Sequence, residues 1–96
     1  MQVVETTLDI EKIIRAISKS QGIKILKALK DGAKTQKELT FETFVDRTIV
    51  YRRLKEFKEV GLVEKTFDKE DENVKYKLTD LGRRVLRLLE EFESDI

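Results

Sequence analysis

Two helix-start signals in the middle of the chain limit the fold more than any other feature. Thr35-Gln36-Lys37-Glu38 has the form of a capping box, in which the Thr35 hydroxyl and the Glu38 carboxylate satisfy each other's backbone donors. Asp46 follows as a second strong N-cap. The helix opened at Thr35 must therefore be short, about 35–42, and a turn over roughly 41–45 must lead into the next one. From Asp46 onward, Val50, Leu54 and Phe57 repeat at 0, 4, 7 spacing, so the second helix buries one face, and Gly61 stops it. The result is a short helix, a tight turn and a longer helix.

The flanks complete the pattern. Ile10, Ile13, Ile14 and Ile17 fall at 0, 3, 4, 7 spacing behind an Asp9 cap, with Glu11, Lys12 and Arg15 on the other side. Residues 1–7 read as frayed or extended. Ser20 offers an N-cap for a short buried helix marked by Ile23, Ile25, Leu26 and Leu29, which stops near Asp31-Gly32. Lys24, Lys27 and Lys30 line its wet face and are more simply a solubility face than a binding site. Residues 33–35 fit a brief edge strand. After Gly61, Leu62 to Phe67, the polar run Asp68–Asn73 and the alternating Val74-Lys75-Tyr76-Lys77-Leu78 predict a β-hairpin with a mobile tip. Val74, Tyr76 and Leu78 are expected to face the core, and Lys75 and Lys77 solvent. The first strand lacks clean alternation, so its register stays open. Thr79 caps a last helix on which Leu81, Val85, Leu88 and Phe92 repeat at 4-3-4, with Leu89 and Ile96 widening the stripe. Arg83, Arg84 and Arg87 take the opposite side, and Glu90, Glu91 and Glu93 are most simply solvent-facing.

Ninety-six residues suit a single domain, mainly α with a small β-hairpin. Its parts are an N-terminal helix over 8–19, the helix pair over 35–60, the hairpin over 62–78 and the last helix over 79–95. With neither Cys nor His, the chain lacks disulfides, soft-metal sites and the usual nucleophile–base pairs, so no enzyme activity, cofactor or metal is expected. The acidic run at 68–73 does not follow the spacing of a calcium loop. No apolar run approaches ~18 residues, which makes cytoplasmic location the default. Charged residues are 41% of the chain, and their signs nearly cancel at +1. Their distribution is uneven: residues 21–60 carry ten Lys/Arg against six Asp/Glu, whereas residues 61–96 carry seven against ten. The basic excess thus coincides with the helix pair. High Lys, Glu and Arg with no Cys and a single Met matches a thermophile composition.

Four pieces in fixed order carry a resemblance. They are Gln36-Lys37-Glu38-Leu39, the run Asp46 to Phe57, Val60-Gly61-Leu62-Val63, and Tyr76 to Gly82. The stretch Thr35 to Gly82, about half the chain, resembles the archaeal and bacterial winged helix-turn-helix regulators of the arsenical-repressor and multiple-antibiotic-resistance-repressor type. The resemblance implies that the hairpin is the wing and that the helix from Asp46 is the recognition helix. Two departures stand out. The family often has Gly in the turn, where this chain has Phe44, so the turn either differs in shape or leaves Phe44 outside the tight bend. Family wings usually bring a basic residue to the phosphate backbone, whereas this tip, Asp68 to Asn73, carries four acids and one Lys. The wing would then touch DNA only through Lys69 or strand residues such as Lys75.

Helix geometry selects the reading face. With Val50, Leu54 and Phe57 inward, Arg47, Thr48, Tyr51, Arg52 and Lys55 project outward. Arg suits the guanine edge, Thr a thymine methyl or a phosphate, and Tyr a phosphate, although Tyr51 can equally be a partly exposed packing residue. The N–H groups of Thr35, Gln36 and Lys37 open a helix and are placed to hold a phosphate. Arg53 lies to one side and can pair with an acid. The terminal apolar stripes, Ile10, Ile13, Ile14 and Ile17 with Leu81, Val85, Leu88, Leu89 and Phe92, can fold back on their own domain or meet a second copy. The dimer is favoured, because an outer helix of so small a domain has little core left to cover. The expected function is sequence-specific binding of double-stranded DNA as a homodimeric transcription regulator. The alternative is a winged-helix protein-interaction module without DNA binding.

Overall fold

Four of the five helices begin where a short polar side chain takes a backbone N–H that the first turn leaves unpaired. In the computed structural model, which describes residues 9–95, the elements run α1 (Ile10–Ile17), α2 (Gly22–Ala28), α3 (Gln36–Thr43), α4 (Arg47–Glu59), β1 (Val63–Asp68), β2 (Asn73–Leu78) and α5 (Asp80–Ser94). Asp9 accepts from Lys12 N at 3.1 Å, Asp46 from Thr48 N at 2.9 Å, and Thr79 from Gly82 N at 3.0 Å. At α3 the capping box closes in both directions, Glu38 N to the Thr35 hydroxyl at 3.0 Å and Thr35 N to the Glu38 carboxylate at 2.8 Å. The readings of residues 1–7 and of Ile96 lie outside the described residues.

α2 is the exception and corrects the Ser20 cap. Its N-cap is Gln21, left-handed at φ 65° and without a side-chain cap. The chain reverses so tightly here that a Cβ on Gly22 would lie 2.9 Å from the Ile17 carbonyl oxygen. α2 also ends before Asp31. Its last residue is Ala28, and residues 29–32 continue as tight turns in which Leu29, Lys30 and Gly32 donate to the carbonyl three residues back. The brief strand expected at 33–35 reduces to one bridge, Lys34 with Tyr76, closed at 2.9 and 2.7 Å. That bridge fixes the start of α3 against the hairpin.

The core is shared by every element. Ile13 and Ala16 of α1, Ile25 and Leu26 of α2, Leu39 of α3, Val50, Leu54 and Phe57 of α4, Leu62 and Val63, Tyr76 and Leu78 of β2, and Leu86 of α5 are all buried. Burying each large aliphatic or aromatic side chain contributes roughly 1.5–3 kcal/mol before entropy is subtracted. β1 and β2 pair antiparallel with Val63 opposite Leu78, Lys65 opposite Tyr76 and Phe67 opposite Val74. This register corrects one expectation. Val74 has the right phase but is exposed with Phe67, because the hairpin outruns the core it covers.

α5 adds a residue that the sequence reading does not name. The residue it buries is Leu86, 2% exposed, which the 4-3-4 reading passed over. Leu81, Val85 and Leu89 pack beside it half-buried, while Leu88 and Phe92 stay exposed at 64% and 68%. The helix seats through Gly82 and Leu86, with Gly82 pressed on the Leu62 carbonyl. The lysine row of α2 is also not simply a wet face. Lys27 of α2 pairs with Glu93 at 2.8 Å and Lys30, in the turn that follows, with Glu90 at 2.9 Å, tying this end of α2 and its turn to α5, so these two glutamates are not merely solvated. With five helices and one hairpin in this order, the chain is a winged helix-turn-helix carrying an additional C-terminal helix.

Candidate nucleic-acid interface

The turn between α3 and α4 sets how α4 is presented. Phe44 sits in the bend itself, as the C-cap of α3, at φ 58° and ψ 27°. It adopts the left-handed conformation that glycine takes without strain, at a cost of about 1–2 kcal/mol for a residue with a Cβ. Its side chain is 90% exposed, and Phe41 on α3 is exposed as well. Thr43 secures the bend from inside, donating to the Leu39 carbonyl at 2.7 Å and accepting from Val45 N at 3.3 Å. Asp46 then restarts the chain as α4.

α4 is held by Val50, Leu54 and Phe57, each essentially fully buried. Arg53 is buried too and donates to Glu56 on the next turn of the same helix, and Glu56 also takes Lys19, just beyond α1, at 3.2 Å. Burial acts to raise the Glu56 carboxyl, but the hydrogen bonds from Lys19 and Arg53 outweigh it and hold the group below its ordinary value. Arg53 therefore pairs with an acid, as the sequence allowed.

Arg47, Thr48, Tyr51, Arg52 and Lys55 are all exposed. They divide into two stripes. Tyr51, Lys55 and Lys58 follow at i, i+4, i+7 and line a cleft of about 230 Å³ with Glu59, Lys65 and Tyr76, so this flank of α4 looks at the hairpin. Arg47, Thr48 and Arg52 do not line it. Among the described residues none of Arg47, Arg52, Lys55, Lys58 or Lys65 has a carboxylate within ion-pair distance. Lys58 and Lys65 escaped the sequence reading. The spacing from Tyr51 could have found Lys58. Lys65 becomes visible only once the hairpin register is known.

Two residues expected at the interface are otherwise engaged. The Thr35 N–H is occupied by the Glu38 carboxylate, which also puts a negative charge at that helix start. Gln36 and the exposed Lys37 follow it on the first turn. Lys75 does not project freely from its strand. Its ammonium lies 3.1 Å from both Asp68 and Asp71, and only 19% of the side chain is exposed. The hydrogen bonds to Asp71 and Asp68 raise its pKa, and Asp68 is lowered first by the Asp71 N–H and then by Lys75. Asp68 also accepts from Glu70 N, which closes the tip. Lys69 is exposed on that tip.

The two terminal stripes divide between core and surface. Ile13 is buried and Ile17 half-buried, whereas Ile10 and Ile14 are each 55% exposed. With Leu88 and Phe92 they leave four large apolar side chains on the outer helices open to solvent. Among the described residues no cluster of Asp and Glu could hold a metal ion, and no helix is long and apolar enough to cross a membrane.

The fold is shared with transcription regulators of known structure. The homodimeric winged helix-turn-helix DNA-binding domain of Mb0332 from Mycobacterium bovis superposes with a TM-score of 0.81 at 17% identity, covering 99% of this chain and 89% of that one. The reduced form of the transcriptional regulator YodB from B. subtilis gives 0.76 at 25% identity, covering 98% and 90%. A candidate HxlR-family transcriptional factor from Thermoplasma volcanium gives 0.75 at 22% identity, covering 85% and 75%. No curated protein matches the chain. Over residues 10–96 the sequence matches the family described as the HVO_A0261 N-terminal domain, and the chain belongs to that family.

Proposed function

We propose that the chain binds double-stranded DNA as a homodimeric transcription regulator and sets α4 in the major groove. The observation that carries this reading is the outer face of α4. Arg47, Arg52, Lys55 and Lys58 stand exposed there without carboxylate partners among the described residues, on a helix whose opposite face is locked into the core. Rigid placement matters, because base readout depends on side chains held at the correct depth. Arg47 and Arg52 take guanine edges, Thr48 a thymine methyl or phosphate, and Tyr51 and Lys55 the backbone. Gln36 and Lys37 are further backbone contacts. Thr35 and Lys75, engaged internally, are left out. YodB is a transcriptional regulator and the Mb0332 fragment is a homodimeric DNA-binding domain, which supports the same role here. A salt titration of duplex binding tests it: log affinity falls linearly with log salt, by about 0.9 for each phosphate contacted. Absence of duplex binding at low ionic strength would reject the reading.

The partner copy is assigned to the apolar residues left uncovered on the terminal helices, Ile10, Ile14, Leu88 and Phe92, with Ile13, Ile17, Leu81, Val85 and Leu89 beneath or beside them. A domain of this size gains stability from such burial. Leu88→Glu with Phe92→Glu is expected to give a folded monomer in sedimentation, with DNA affinity reduced because two half-sites are no longer engaged together. A dimer that persists in this variant would place the interface elsewhere. The second reading, a protein-interaction module, draws on the exposed Phe41 and Phe44 and on the acidic wing tip. Recovery of one stoichiometric protein partner with no DNA retained would favour it.

A further inference from the structure

The hairpin has two faces in different electrical states. On the outer face every β2 cation is matched: Lys75 by Asp68 and Asp71, Lys77 by Glu64 at 3.8 Å. The tip beyond is acidic. On the inner face the register sets Lys65 beside Tyr76, and two residues further out the same face is apolar, with Phe67 opposite Val74. Lys65 shares its cleft with Lys55 and Lys58 of α4, and Glu59 is the one acid among the lining residues. Three lysines against one glutamate leave this cleft cationic, in a hairpin whose outer face and tip are neutral or negative.

We infer that the phosphodiester backbone of bound DNA is held in this cleft, by Lys58 and Lys65 together with Lys55, and that the wing tip supplies no attractive charge. The inference rests on the DNA-binding reading above and goes further by moving the wing's contact from its tip to its inner face. Lys55 and Lys58 share one stripe of α4 with Tyr51, beside the Arg47, Thr48 and Arg52 stripe. With that second stripe toward base edges, the strand bordering the groove is the nearest polyanion to the cleft. Ammonium groups attract phosphate as point charges and read no base, so the contact positions the duplex without selecting sequence. Lys69 faces Glu70, Asp71 and Glu72 as neighbours on the tip, and its attraction for phosphate is cancelled locally.

The test is anisotropy of a labelled mixed-sequence duplex against the full chain over a series of salt concentrations. Each phosphate contact accounts for about 0.9 of the log–log salt slope. Lys58→Ala with Lys65→Ala is expected to reduce the slope by about two and to weaken all sequences alike. Lys69→Ala and Lys75→Ala are expected to leave the slope of the wild type. All these side chains lie on the surface or in the wing, and thermal melts of each variant check that the fold is intact. If the duplex is bound but the Lys58/Lys65 variant keeps the wild-type slope, or if Lys69→Ala lowers it instead, the cleft assignment is wrong while DNA binding stands. If the wild type binds no duplex at all, both fall together.

Discussion

Gly82→Ala is expected to lower the thermal midpoint of the domain by roughly 8–16 °C, a loss of about 2 kcal/mol. The sign is not obvious from composition, since alanine favours a helix over glycine by about 1 kcal/mol. Position decides it. A Cβ at Gly82 would stand 2.1 Å from the Leu62 carbonyl oxygen and 3.0 Å from its carbon, with Leu78 at 3.3 Å on another side. The first two are backbone atoms, and the Leu62 oxygen is itself fixed by accepting from Thr79 N at 3.0 Å. No side chain can swing away, so α5 must lift, and Leu86 loses part of its seat in the core. Overpacking of this kind costs about 1–3 kcal/mol, and contact with rigid backbone puts this site near that upper end, from which the roughly 1 kcal/mol gained by alanine in a helix is subtracted to leave about 2. Thermal and urea denaturation followed by circular dichroism measure the effect. An unchanged midpoint would show that α5 does not approach the chain so closely.

The second large effect falls on binding. Arg47→Ala with Arg52→Ala is expected to weaken duplex DNA by at least about thirtyfold. Each bidentate contact to guanine contributes about 1–3 kcal/mol, and 1.4 kcal/mol is a factor of ten. Both side chains are exposed and have no ion-pair partner among the described residues, so the melting temperature is expected to stay within a few degrees. The loss is expected to be greater on preferred sequences selected from a random pool than on mixed DNA, because base readout disappears while lysine contacts remain. Arg53→Ala makes a sharp contrast one residue away. Arg53 is 7% exposed and bound to Glu56, so its removal is expected to destabilise the fold first. If the double variant retains full affinity, the assigned reading face is wrong.

How far the sequence foretold this molecule depended on the range of the interaction involved. Asp9, Thr35 with Glu38, Asp46 and Thr79 were legible as caps because a cap needs only its own first turn. The inward face of α4 was legible because Val50, Leu54 and Phe57 share a helical period. Ser20 failed as a cap because the reversal into α2 is set by how closely Gly22 meets the end of α1, a tertiary distance. Leu86 was missed because α5 has apolar residues on two sides, and the residue that chooses between them is Gly82, which carries no hydrophobic signal. Val74 reads as a core residue because alternation reports phase and not where the core ends. The Lys65 side of the cleft was hidden for a related reason, since a strand without clean alternation does not disclose its register. Phe44 shows the limit from the other direction, a residue in a glycine conformation that nothing in its identity suggests.

The internally matched charges of the wing have a consequence for the approach to DNA rather than for the bound state. With Lys75 held by Asp68 and Asp71, the protruding end of the hairpin still carries Glu70 and Glu72. Its field therefore opposes a polyanion, while the outer face of α4 attracts one. For a chain that meets duplex DNA as proposed, this asymmetry gives each subunit a torque at long range. Collisions with the tip leading are repelled and turned, and those led by α4 are drawn in, so orientation is settled before contact at distances of about a Debye length, ~8–10 Å. The acidic tip then acts as a vane during diffusional encounter, raising the fraction of collisions that arrive in register, and that advantage fades as salt shortens the reach of both fields.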